Sequence, residues 1–215
     1  MRFLWIILLI LSLPASALGT TFTLYDQFPI SQGVNDFYAE AYRYDGSPPA
    51  YRQITKTADY QYYTIPNTWD IPYLVKHPSN GWIYMHPVYQ YGEFNGHEDA
   101  VLAWNPGNTV AYELDISGSF QGNNSGYKVV YIKTDTELLW SSGLSGGSNV
   151  AFNLTDERLN PGETLYFGVN NGNNSDTSDE TLLRGTIDYT AVPVPGTLSL
   201  TVSGLVGLWG WRRFR

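Results

Sequence analysis

Three groupings of residues in this chain have types and spacings that could do chemistry. The first is Glu113-Leu114-Asp115. Two carboxylates two apart on a strand project from one face, and a pair of carboxyl groups about 5–5.5 Å apart is what a retaining glycosidase uses. Ser117 and Gly118 follow, so no further acid stands nearby to protonate a leaving oxygen. The plainer alternative is the wet face of an amphipathic strand. The second grouping is the oxygen-rich run from Asn170 to Glu180, where Asp176, Asp179 and Glu180 could join backbone carbonyls around Ca²⁺. Its spacing is not that of an EF-hand, and an exposed polar loop is the alternative. The third is the set of three histidines, His77, His86 and His97. No two are four apart, as a zinc-binding helix would need, and they read as scattered loop or core residues. Cysteine is absent, which excludes disulfides, thiol nucleophiles and Cys-ligated zinc.

Aromatic rings offer a non-catalytic chemistry. Eleven of the 17 tyrosines fall between Tyr38 and Tyr91, with Trp69 and Trp82 among them. Such rings stack on the flat faces of sugars and present a polar edge as well. They also fill β-sandwich cores and make cross-strand pairs, so only a few can be free for a ligand. Trp69 and Trp82 are the candidate platforms.

The elements that must hold these residues read as strands. Val110, Tyr112, Leu114 and Ile116 alternate with Ala111, Glu113, Asp115 and Ser117, giving one buried and one wet face. Tyr127 to Lys133 is a returning strand with Val129 and Tyr131 expected inward. Thr134-Asp-Thr136 turns, and Glu137 to Trp140 pairs back. Phe152 and Leu154, then Leu165 and Phe167, then Ile187 continue the inward set. Asn160-Pro-Gly162 fits a turn with Pro at its second position and Gly where a positive φ is needed. Phe22-Thr-Leu24 is a short first strand, whereas residues 26–106 read as irregular. No amphipathic helix is evident between 18 and 195, and no internal repeat has a fixed period. The expectation is all-β: an antiparallel β-sandwich over residues 18–190, jelly-roll-like, flanked by an N-terminal signal helix and a C-terminal membrane helix.

Both ends carry addresses. Arg2, the apolar run Phe3 to Leu13 and the small residues through Ala15 and Ala17 fit residues 1–17 as a signal peptide cleaved after Ala17. Residues 191–215 hold Val192-Pro193-Val194-Pro195, an uncharged segment from Gly196 to Trp211, and Arg212, Arg213 and Arg215 at the tip. A helix there buries its side chains in lipid while the arginines stay on the cytoplasmic side. Between the two addresses lie eight basic and 20 acidic residues, a net charge of −12. That balance argues against nucleic acid and anionic lipid as partners.

The order Pro-x-Pro, apolar helix, Arg tip resembles the PEP-CTERM sorting signal of exported bacterial proteins. The resemblance implies an exosortase-type membrane protease as partner. Val194 stands where that pattern usually has Glu. Met85-His86-Pro87 before Ala100–Trp104, and Leu159-Asn-Pro-Gly-Glu-Thr-Leu-Tyr-Phe-Gly-Val169, resemble the jelly-roll domains common in such proteins, which are similar in architecture to carbohydrate-binding modules. Glu113-Leu-Asp115-Ile116 resembles part of the Glu-x-Asp-x-x-Glu signature of jelly-roll β-glucanases and departs from it at Ser117 and Gly118. The reading is a non-catalytic, membrane-tethered envelope or matrix protein whose sandwich contacts exopolysaccharide. A divergent glycan hydrolase and a structural surface protein without ligand are the rivals.

Overall fold

A computed structural model of the chain describes residues 19–29, 33–43, 50–58, 61–63, 72–77, 80–87, 98–123, 126–171 and 180–192. In chain order these form β1 (Thr20–Thr23), the one-turn helix α1 (Leu24–Gln27), a 3₁₀ turn at Val34–Asp36, β2 (Phe37–Arg43), β3 (Ala50–Gln53), β4 (Thr55–Ala58), β5 (Gln61–Tyr63), β6 (Tyr73–Lys76) and β7 (Ile83–His86). There follow β8 (Glu98–Trp104), β9 (Ala111–Gly122), β10 (Lys128–Lys133), β11 (Leu138–Leu144), β12 (Asn149–Leu159), β13 (Leu165–Asn170) and β14 (Thr181–Val192). Two antiparallel sheets result. The larger runs β12-β9-β14-β7-β6-β5-β4, with β1 also beside β14. The smaller runs β11-β10-β13-β8-β2-β3. The chain is thus an all-β antiparallel sandwich of two sheets.

The centre of the larger sheet is the pairing of β9 with β14. It runs unbroken from Thr181 against Gly122 to Val192 against Ala111. On its far side β14 changes neighbour, pairing with β7 over Thr181–Leu183 and with β1 over Thr186–Tyr189. Helix α1 follows β1 into the space between. Thr23 caps it, its hydroxyl accepting from the Asp26 N–H at 3.0 Å, which supplies a partner for an otherwise orphan donor. Leu24, the first helical residue, is fully buried beside Gly185.

Two aromatic clusters tie the sheets together. Phe120 and Phe152 of the larger sheet meet Trp140 and Phe167 of the smaller, with Trp140 stacked on Phe120 at 6.0 Å. At the other end Phe22, Tyr112 and Tyr189 surround Trp104, which lies 6.2 Å from Phe37. Such rings bring large apolar areas together and gain further from edge-to-face contact.

Most inward residues expected from alternation are inward. Leu114, Ile116, Phe152, Leu165, Phe167 and Ile187 are buried, while Tyr112 and Leu154 pack at the core margin. Strand β10 corrects the reading. Val130 and Ile132 face the core, and Val129 and Tyr131 lie on the opposite face. Four consecutive apolar residues gave alternation nothing to choose between, because both faces of this strand are covered. The described residues of 26–106 form seven strands rather than irregular chain. Five of the seven are only three or four residues long, too short to display a period of two. Leu24 belongs to the helix, not the first strand, and β11 runs on past Trp140 to Leu144. Strand β14 extends through Val192, so Ala191 and Val192 are paired sheet residues.

The turns follow their chemistry. Gly162 has φ +84°, and the Glu163 N–H donates to the Asn160 carbonyl at 3.0 Å, the geometry Pro-Gly at the centre of a turn provides. The Thr134 N–H donates to the Glu137 carbonyl at 2.8 Å while the Thr134 hydroxyl accepts from the Glu137 N–H at 3.1 Å. No helix among the described residues is long and apolar enough to cross a membrane. The apolar segment 196–211, the arginine tip, and Pro193, Val194 and Pro195 lie outside the described residues, as do the signal residues Ala15 and Ala17.

The register of β10 is testable by truncation. Val130→Ala should cost about 2 kcal/mol, from two lost methyl groups plus a cavity, and Phe167→Ala about 3–5 kcal/mol. Val129→Ala should cost well under half of the Val130 value. Urea unfolding of the three variants checks this, and equal losses at 129 and 130 would contradict the register.

Candidate functional site

The outer face of the larger sheet is where the chemistry-bearing residues of the sequence are brought together. Alternation on β9 and β14 turns Glu113, Asp115, Ser117 and Arg184 and Asp188 outward, all exposed. Cross-strand register sets them in rows: Thr190 opposite Glu113, Asp188 opposite Asp115, Thr186 opposite Ser117, and Arg184 opposite Ser119. Strand β12 extends three of these rows with Arg158, Asn153 and Ala151. From Arg184 to Thr190 the face measures about 20 Å along the strands at roughly 3.4 Å per residue.

One end of this face is acidic. A groove of about 280 Å³ is lined by Thr20, Thr21, Glu113, Asp115, Asp156 and Asp188, among others. A bulge in β12 builds it: the register slips between Leu154 and Glu157, and Asp156 takes φ +58°. The Asp156 N–H thereby donates to the Asp115 carboxylate at 3.0 Å. The Thr21 hydroxyl donates to Asp188. Gly118 stands at the last position of the Glu-x-Asp-x-x-Glu pattern, and Ser117 before it is bonded to the Thr186 hydroxyl at 2.9 Å. The Glu113–Asp115 pair therefore sits on the wet face that alternation gave it. No cluster of three or more potential metal ligands with metal-site geometry occurs among the described residues.

The other end is aromatic and cationic. The Arg184 guanidinium lies 4.5 Å from the centre of the Trp82 ring, and its Nε–H donates to the Ser119 hydroxyl at 3.3 Å. Ser119 is buried beneath it. Trp82 is half-buried, and its backbone N–H donates to the Asn80 side chain at 3.2 Å. Of the two candidate platforms, Trp82 is thus on the accessible face, beside a charge that the sequence reading did not associate with it. Trp69 lies outside the described residues.

The remaining candidates have structural partners. Glu180 accepts from the Tyr73 hydroxyl at 3.0 Å and from the Asn123 side chain, and its backbone carbonyl accepts from Lys128 at 3.1 Å. Asp176 and Asp179, the other proposed Ca²⁺ ligands, lie outside the described residues, as does His97. His86 is buried and stacked on Tyr73 at 5.0 Å. His77 is tilted over Tyr84 at 5.2 Å. Gly143-Leu-Ser-Gly-Gly147 spells the letters of a hydrolase nucleophile elbow, which the sequence reading passed over. It forms the turn from β11 into β12, strand to strand, where an elbow needs strand to helix.

Most of the described tyrosines of the smaller sheet are structural. On its outer face Tyr166 is buried with Val101 and Ala103, and Tyr38 and Tyr42 pack against them. Tyr131 donates to the buried Asp99 carboxylate at 2.7 Å, and Asn170 donates to the other oxygen of the same group at 2.7 Å. Tyr166 donates to Asp135 at 2.7 Å, and burial with that bond pushes its phenol well above the usual range. The Lys133 ammonium lies 4.9 Å from the Tyr42 ring centre, and burial lowers its pKa despite Asp99 and Asp135. Glu40, on the neighbouring strand, is pushed up to about 7, first by burial and then by the Asp135 charge.

Glu40 gives a pH signature. Its folded pKa is above the unfolded value of 4.5, so folding favours the protonated form. Its contribution to stability is fully present below pH 4.5 and is lost as pH rises to about 7. Glu40→Gln should remove that decline and leave the protein about 2 kcal/mol more stable at pH 8, after allowance for partial solvation of the carboxyl. Denaturant titrations of both proteins at pH 4.5 and 8 measure it. An unchanged difference between the two pH values would refute the assignment.

No protein-family model matches the chain, and no curated protein is significantly similar to it in sequence. Solved structures match it at low identity and low TM-score. One is the CBM36-1 domain of a multidomain xylanase from the hindgut metagenome of Trinervitermes trinervoides, at 14% identity and TM-score 0.28, covering 51% of this chain and 93% of that one. Another is a mutant of the family 29 carbohydrate-binding module CBM29-2, at 12% identity and TM-score 0.34, covering 80% and 93%. A third is a family two carbohydrate esterase from Cellvibrio japonicus, at 10% identity and TM-score 0.34, covering 83% of this chain and 36% of the esterase.

Proposed function

We propose that this chain is a non-catalytic glycan-binding protein of a bacterial cell envelope, exported by its signal peptide and held at the membrane by its C-terminal segment. The observation that carries the binding role is the exposed outer face of the larger sheet. It has a Trp ring at one end, and hydroxyl and amide groups at Ser117, Thr186 and Asn153 occupy its middle. A sugar chain needs an aromatic surface for its apolar faces and short donors and acceptors for its hydroxyls. The PEP-CTERM-like ending supports the cell-envelope location, and an exosortase-type protease is the expected processing partner. Exopolysaccharide is the expected ligand source.

The rival hydrolytic reading rests on the Glu113–Asp115 pair, which has Gly118 where the β-glucanase pattern has its further acid. A glycosidase needs two carboxyl groups with separated pKa values flanking one bond. Release of reducing sugar that disappears in Glu113→Gln would establish it in place of the binding reading.

Binding should be weak, with Kd between about 1 mM and 1 µM. Trp82→Ala should weaken it at least about tenfold, the loss of roughly 1.4 kcal/mol of stacking, with the far-UV dichroism unchanged. A glycan array followed by calorimetry tests this. Wild-type affinity in the Trp82 variant, or no binding across a broad panel, would sink the proposal. For the anchor, a chain ending at Val192 keeps all of β14 and should be soluble, while the full chain should sediment with membranes. Identical fractionation of the two would remove the membrane part of the reading.

A further inference from the structure

Arg184 is an exposed cation on the outer face whose contacts among the described residues are uncharged. Its neighbours on the face are Trp82, Ser119, Ser117 and Thr186, all uncharged. Among the described residues its interactions are the Trp82 ring and the Ser119 hydroxyl, and no described carboxylate is paired with it. Contrast Arg158, which stands directly across from Glu113. Asp188 is the next acid along β14, about 14 Å of strand away, beyond the roughly 8 Å over which exposed charges act at physiological salt. Asp26, on the helix that packs beside β14, is engaged by the Thr23 hydroxyl at 2.6 Å.

The guanidinium is also held in place. The Trp82 ring centre lies 4.5 Å from its central carbon and the buried Ser119 takes its Nε–H, two contacts that position the group, and Arg184 as a whole is exposed. A planar, preoriented guanidinium is suited to bidentate pairing with a carboxylate, which a Lys cannot reproduce. The neighbouring indole offers the surface on which a sugar ring can rest. We propose that the Trp82–Arg184 pair is a subsite for a carboxylate-bearing sugar, so that the ligand of this face is an acidic, uronate-containing polysaccharide. The inference rests on the glycan-binding reading and specifies its ligand class.

The acidic groove at the far end gives direction to such a ligand. Glu113, Asp115, Asp156 and Asp188 repel a carboxylate, so an acidic sugar is favoured only at the Arg184 end. The chain should therefore be bound in one register, with a neutral residue over the hydroxyl strip.

The test uses the full chain in detergent micelles, with polygalacturonate and its carboxyl-reduced neutral counterpart as probes in affinity electrophoresis. Polygalacturonate should bind at least tenfold more tightly than the reduced polymer at low salt. The preference should shrink severalfold on raising salt from 50 to 500 mM. Arg184→Gln should abolish the preference, bringing polygalacturonate to the same affinity as the reduced polymer, and Arg184→Lys should restore only part of it. Equal binding of the two polymers by wild type, or a preference that survives Arg184→Gln, overturns the carboxylate subsite while leaving glycan binding intact. Binding of neither polymer, nor of any glycan in a broad panel, overturns the underlying reading itself.

Discussion

The larger sheet depends on a single steric constraint at its centre. Gly118 of β9 and Gly185 of β14 face each other, and Phe152 of β12 stands in the same row. A Cβ at Gly118 would come 2.6 Å from the Phe152 ring, and one at Gly185 3.2 Å from it. The ring occupies the space both glycines leave. Glycine in a strand ordinarily weakens it, through lost backbone entropy and an empty side-chain position. Here the empty positions are filled by a neighbour. Phe152 can then reach inward to Phe120, Trp140 and Phe167, so one ring locks three strands laterally and the two sheets to each other.

The smaller sheet repeats the arrangement on its outer side. The Tyr131 ring lies across Gly168 of the next strand so closely that a Cβ there would run into it. Its hydroxyl is thereby carried over the sheet to the buried Asp99. A buried carboxylate without partners is costly, and Tyr131 and Asn170 together supply two donors to this one. The tyrosine therefore serves the fold through both its ring and its hydroxyl.

These contacts explain what could be read in the sequence and what could not. Long strands with one wet face were legible, because Glu113, Asp115 and Ser117 alternate with Leu114 and Ile116 over enough residues to set a period. Turn chemistry at Asn160–Glu163 was legible for the same local reason. Strand β10 was not, since Val129-Val-Tyr-Ile132 is apolar on both faces and Tyr131's place depends on a glycine 37 positions away in sequence. The short strands between Phe37 and His86 were hidden by their length. Trp82 was nameable as an aromatic. Its partner was not, because Arg184 is brought beside it only by the pairing of β14 with β7.

Charge makes the same point at the scale of the surface. A net of −12 over residues 18–195 reads, as a sum, as a surface that repels anions. Recognition at short range is governed by the local arrangement instead. Within a Debye length of about 8 Å, a ligand group senses the nearest few charges and little of the total. On the outer face of the larger sheet those charges are segregated: carboxylates gather around the β12 bulge, and Arg184 stands at the opposite end among uncharged neighbours. The total charge keeps copies of the domain apart and soluble. The separation along one sheet face arises from the β9–β14 register that the paired glycines and Phe152 hold in place.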